Sequence, residues 1–143
     1  MSKKAVLVTG GFDPIHKGHI EYLREAKKLG DILYVGLNSD HWLTRKKGKP
    51  FMDLENRAMV IQSLDMVDEV IIFNDEDNSS CHAIEQTLLF YDEVIFANGG
   101  DRLLSNIPEY EKYQNDKRVK FVFNVGGDKT ESSSWLLDEW KSP

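Results

Sequence analysis

Residues 4–37 read KAVLVTGGFDPIHKGHIEYLREAKKLGDILYVGL, and the fold turns on this stretch. Lys4 to Thr9 is an apolar run rich in β-branched residues and closed by Gly10-Gly11, the pattern of a buried strand. From Lys17 to Leu29, the residues Ile20, Leu23, Ala26 and Leu29 recur at helical spacing, and Gly30 stands where a C-terminal cap belongs. Asp31 to Leu37 is a second strand, apolar on both pleat faces, as in a parallel sheet covered on both sides.

Working outward, the alternation repeats. Trp42 to Pro50, WLTRKKGKP, reads as a basic loop, with Gly48 and Pro50 opposing a helix. Asp53 or Asp65 bounds the next helix, which carries Leu54, Ala58, Ile61 and Leu64 on one face. Glu69 to Phe73 is a third strand, Asn74 to Ser80 a polar loop, Cys81 to Phe90 a helix and Glu93 to Ala97 a fourth strand. A loop rich in turn formers runs from Asn98 to Pro108. Glu109 to Asp116 is a short helix, Val119 to Asn124 a fifth strand, and Gly126-Gly127-Asp128 a turn. Ser132-Ser133-Ser134 opens a last helix with Trp135, Leu136 and Trp140 on its apolar side. The expected fold is α/β: a Rossmann-like, doubly wound, parallel five-stranded sheet forming a single domain over residues 1–143.

The bulk numbers agree. A chain of 143 residues, 41% hydrophobic and 29% charged, suits one packed core. The net charge of −6 argues against a non-specific nucleic-acid binder, which needs a basic face, but leaves room for a small anionic ligand. The lone Cys81 excludes a disulfide scaffold and reads as a packing residue. No signal peptide is evident, and no apolar run approaches the ~20 residues that span a bilayer, so the expected location is the cytoplasm.

Ligands of such sheets bind beyond the carboxyl ends of the strands. Gly10 to His19, Asn38 to Asp40, Asn98 to Arg102 and Gly126 to Ser134 all fall on that rim. Gly10 and Gly11 let the backbone approach an anion. His16-Lys17-Gly18-His19 places two imidazoles three apart at a helix start, with Gly18 leaving room for a ligand. Two such donors beside a positive helix end suit a phosphorus centre that gains negative charge. The alternatives are two unrelated surface histidines, or a metal set of His16, His19 and Asp13; Gly18 fits metal ligation poorly. The spacing is not GxGxxG, so a dinucleotide-binding oxidoreductase is disfavoured.

These motifs, in this order, resemble the cytidylyltransferase-like nucleotidyltransferase superfamily and its HxGH signature, over nearly the whole chain. Two branches are close: heptose-1-phosphate adenylyltransferases and glycerol-3-phosphate (or other alcohol phosphate) cytidylyltransferases. Asp65 and the Gly99-Gly100-Asp101 form favour the heptose-phosphate branch.

The resemblance implies roles for particular residues. His16 and His19 would contact the triphosphate and stabilise the transition state, aided by Lys46; Gly10, Gly11, Phe12, Asp13 and Gly18 would form the rest of that loop. Asp40 would face the acceptor, Lys49 would neutralise phosphate, and Arg57 would organise the phosphate region. Gly99, Gly100 and Asp101 would meet the nucleoside, and Ser132, Ser133 and Ser134 the β- and γ-phosphates. Thr130 and Glu131 depart from the family pattern there.

Read without the resemblance, Asp40 is a turn or cap residue, Arg45 to Lys49 a solvated charge run, Arg57 a surface helix arginine and the serines an N-cap. The implied partners are a nucleoside triphosphate carrying Mg²⁺, a phosphorylated small-molecule acceptor and a second copy in a homodimer, with no nucleic acid and no membrane. A regulatory module that binds nucleotide without catalysis is the reading of another class.

Overall fold

A computed structural model describes residues 3–99, 107–126 and 133–141. In chain order the elements are β1 (Lys4–Gly10), α1 (Lys17–Lys27), β2 (Ile32–Leu37), α2 (Asp40–Lys47), α3 (Leu54–Gln62), β3 (Glu69–Ile72), α4 (Cys81–Leu88), β4 (Glu93–Ala97), α5 (Pro108–Tyr113), β5 (Val119–Val122) and α6 (Ser133–Lys141). The strands form one sheet in the order β3-β2-β1-β4-β5, and every pairing is parallel. This is the α/β, doubly wound, five-stranded sheet expected from the alternation of elements.

Alternation along the strands divides the core. Val6, Val8, Leu33, Val35, Leu37, Ile95 and Ala97 pack with Leu23 and Ala26 of α1 and Ile61 of α3. Leu7, Val94, Phe96 and Val119 point the other way, onto Cys81, Ala83 and Ile84 of α4 and Tyr113 of α5. Both faces of the central strands are thus covered, which is why β1 and β2 read as continuous apolar runs. Burial pushes the Cys81 thiol up from its ordinary value, which suits a packing residue rather than a nucleophile.

The basic loop expected over Trp42 to Pro50 is corrected. Asp40–Lys47 is helix α2. Ser39 caps it by accepting from the Trp42 N–H at 3.0 Å, Asp40 occupies the first turn, and Arg45, Lys46 and Lys47 occupy the last. Those charges match both ends of the helix dipole. Gly48, at φ +94°, ends the helix. The glycine and proline were stop signals, not evidence against the helix before them. Asp53 caps α3, accepting from the Asn56 N–H at 2.9 Å.

Strand order reverses between β1 and β4. Beyond their carboxyl ends lies a cleft of about 180 Å³ lined by Thr9, Gly10, Gly11, Phe12, His19, Tyr22, Asn98 and Gly99.

Candidate active site

The histidines are more tightly built than a shared helical face requires. His16 is the N-cap of α1 and lies in extended backbone; His19 is the third residue of the helix. The His16 Nδ1 accepts from the Gly18 N–H at 3.1 Å, and the His19 Nδ1 accepts from the His16 N–H at 3.2 Å. The two rings stack, with centroids 3.9 Å apart. Phe12 meets His19 edge-on at 4.8 Å. An imidazole that accepts through Nδ1 carries its ring proton on Nε2. Both residues are therefore fixed as Nε2–H donors, and His19 lines the cleft.

Asp13 is 2% exposed and holds the loop from beneath. Its Oδ2 accepts from the Phe51 N–H at 2.7 Å and its Oδ1 from the Met52 N–H at 2.6 Å. Lys47 Nζ lies 2.8 Å from Oδ2 and also donates to the Asp13 carbonyl at 2.7 Å. Both carboxylate oxygens are thereby engaged within the protein. Phe12 is buried, packs into the core and also lines the cleft beside His19.

Arg57 is not a surface arginine: it is 1% exposed. Nε donates to the Met52 carbonyl at 3.0 Å, and Nη1 to the carbonyls of Gly11 at 3.0 Å and Asn38 at 2.7 Å. Nη2 pairs with Asp40 Oδ1 at 2.7 Å, while the Asp40 side chain remains partly exposed at the rim. One buried cation thus ties together the loops after β1 and β2 and the entry to α3. Asp75 braces the α2 entry from the other side, accepting from the Ser39 N–H and Oγ, each at 2.8 Å, and from Asn38 Nδ2 at 3.1 Å.

The remaining residues distribute as follows. Gly10, Gly11 and Gly99 line the cleft, and Gly18 supplies the N–H that His16 accepts. A Cβ on Gly11 would come within 2.9 Å of Leu43 Cδ2, so its glycine identity lets α2 pack on the loop. Lys46 and Lys49 are exposed, and Lys46 Nζ sits 5.0 Å from the Trp42 ring centroid. Gly100, Asp101 and Ser132 lie outside the described residues; of Ser133 and Ser134 only their place at the start of α6 is described.

Sequence reasoning missed Lys47, Asp75 and Tyr22. Lys47 was hidden among equivalent neighbours in RKKGK; helical phasing of α2 distinguishes it. Tyr22 and Asp75 carry no local signal, since their partners are distant in sequence. Among the described residues no group of three His, Cys, Asp or Glu gathers at metal-binding distance. A magnesium ion on the ligand's own phosphates would require no such cage.

The sequence matches cytidylyltransferase-like proteins over residues 7–141. The chain belongs to the cytidylyltransferase-like family. Its relatives in that family include the bifunctional protein HldE of Geobacter sulfurreducens, 37% identical over 131 residues, covering 90% of this chain and 26% of the relative. HldE of Helicobacter pylori is 47% identical over 76 residues, covering 52% of this chain and 16% of the relative. The chain therefore matches only a minor part of each of these curated relatives. A lipopolysaccharide core biosynthesis protein from Thermoplasma volcanium has a similar structure, with a TM-score of 0.67 and 30% identity, covering 85% of this chain and 95% of that one.

Proposed function

We propose that the protein is a nucleotidyltransferase that moves a nucleoside monophosphate from a triphosphate to a phosphorylated small molecule, releasing pyrophosphate. The observation that carries this reading is the reciprocal His16–His19 cap, which orients both imidazoles at a helix start and sets His19 in a glycine-lined cleft. The acceptor phosphate oxygen attacks the α-phosphorus in line, the bond to the β-phosphate oxygen breaks, and the pyrophosphate carries the electron pair away. No side-chain nucleophile is needed. The histidines and the positive end of α1 stabilise the charge that builds on the transferred group, and positioning supplies much of the rest.

Asp13, Lys47 and Arg57 hold the loop in shape, while Lys46 and Lys49, both exposed, are proposed to meet incoming phosphates. The triphosphate enters with Mg²⁺ on its own oxygens, where the ion screens phosphate charge. Gly99, Gly100 and Asp101 are proposed to meet the nucleoside, the serines at the start of α6 the outer phosphates, and Asp40 the acceptor.

For substrates, the reading favours ATP and a sugar 1-phosphate of the heptose type. The HldE relatives and the lipopolysaccharide core biosynthesis neighbour support it. CTP with glycerol 3-phosphate is the second choice. A homodimer and a cytoplasmic location complete the proposal; among the described residues no helix is long and apolar enough to cross a membrane. The test is pyrophosphate release in a screen of four triphosphates against phosphorylated sugars and alcohols. Release that requires both a triphosphate and an acceptor is expected; no release with any pair would contradict the reading.

A further inference from the structure

Tyr22 lines the cleft together with residues from the loops after β1 and β4. It lies on α1, three residues beyond His19, and its ring lines the cleft with His19, Asn98 and Gly99. Its hydroxyl donates to the carbonyl of Ala97, the last residue of β4, at 2.5 Å. Just beyond, the Asn98 N–H donates to the Val122 carbonyl at 2.8 Å, and the Val125 N–H donates to the Asn98 carbonyl at 3.0 Å. The turn after β5 also fits around this residue. Gly126 has φ +83°, and a Cβ there would lie 3.0 Å from Tyr22 Cα. A Cβ on Gly99 would stand 4.0 Å from Tyr22 Cε1. The segment leaving β4 is thus held by the Tyr22 side chain, and the turn after β5 packs against the backbone of the same residue on the helix that carries His19.

We propose that Tyr22 is a positioning residue that sets the spacing between the histidine end of the cleft and the loop leaving β4, where a nucleoside would lie. The inference rests on the nucleotidyltransferase reading. A rigid link of this kind matters only to a ligand that spans both ends. A nucleoside triphosphate does so; inorganic tripolyphosphate occupies the histidine end alone.

The test is calorimetric titration of the wild type, Tyr22→Phe and Tyr22→Leu with Mg-ATP, Mg-CTP and tripolyphosphate, beside thermal melts. Tyr22→Phe keeps the ring beside Gly99 and removes the tether to Ala97; Tyr22→Leu removes both. Tyr22→Phe is expected to weaken binding of the preferred nucleotide about fivefold, the factor of a typical net hydrogen bond, and Tyr22→Leu about tenfold or more. Tripolyphosphate affinity should stay within about twofold of the wild type in both, since its site at the histidines keeps its contacts. Unchanged nucleotide affinity in Tyr22→Phe would overturn the inference. So would a parallel loss for nucleotide and tripolyphosphate, which marks a general structural role, or no tripolyphosphate binding by the wild type. A wild type that binds neither nucleotide would instead remove the nucleotidyltransferase reading, and this inference with it.

Discussion

His16 and His19 hold each other in place, and that coupling makes their roles separable by mutation. His16 contributes a ring to the stack and a nitrogen acceptor to the Gly18 N–H. Asparagine is a good N-cap but offers no second imidazole. His16→Ala should lose both the cap, about 1 kcal/mol of stability, and catalysis. His16→Asn should regain the stability, read by thermal melting, while kcat stays low. His19→Ala should lower kcat by about 10²- to 10³-fold, the usual effect of removing one donor to a developing charge. Wild-type turnover in His19→Ala would contradict its placement at the reacting phosphorus.

The lysines divide in the same way. Lys47→Met withdraws the cation from the buried Asp13 carboxylate and should cost about 1–3 kcal/mol, checked by denaturant unfolding. Lys46→Ala with Lys49→Ala should leave stability within about 0.5 kcal/mol, because both side chains are exposed. The pair should instead lower kcat/KM and flatten its dependence on salt.

Strands and most helices were legible because their apolar periods are strong and because Gly11 closes β1 while Asp or Ser precedes β2, α3, β3, α4 and β4. The helix α2 was not, because Gly48 and Pro50 were read as breakers of a segment they terminate. Its other signals, Ser39 at the cap, Asp40 in the first turn and three cations in the last, were all present.

Between elements, Asp68 joins α1, β2 and the start of β3. It accepts from Lys27 Nζ at 2.6 Å and from the Leu33 N–H at 2.8 Å. Partial burial pushes its carboxyl up, but the Lys27 and Leu33 hydrogen bonds outweigh that and hold it below the ordinary value of 3.8. A lowered folded value means that the stabilisation is present at neutral pH and is lost as the pH falls below 3.8. Asp68→Asn should therefore reduce stability at pH 7 and have less effect as the solution is acidified; an equal loss across that range would show that the charge is immaterial. Gly30 makes the turn from α1 into β2 against backbone. A Cβ there would stand 2.9 Å from the Lys4 carbonyl oxygen and 2.8 Å from Val6 Cγ2, so Gly30→Ala should cost about 1–3 kcal/mol in unfolding experiments.

At the scale of the whole molecule, the reversal of strand order between β1 and β4 brings the Gly10–His19 loop and the Asn98–Gly99 loop to one cleft. That the loops after β1 and β4 share one rim could be read from where the unusual motifs fall along the chain. The scaffold beneath it could not, because Arg57, Asp13 and Asp75 act through carbonyls and N–H groups that sequence does not display. The proposed homodimer predicts a sedimenting species of twice 16.4 kDa at micromolar concentration; a monomer alone would refute it.

The central claim is transfer of a nucleoside monophosphate to a phosphate oxygen, and phosphorus NMR of the product tests it most directly. With Mg-ATP and heptose 1-phosphate, or with the pair that the substrate screen selects, the account predicts two coupled resonances of a new P–O–P diester, appearing together with pyrophosphate. Nucleoside monophosphate with pyrophosphate and no diester would mean hydrolysis rather than transfer, and would contradict the account.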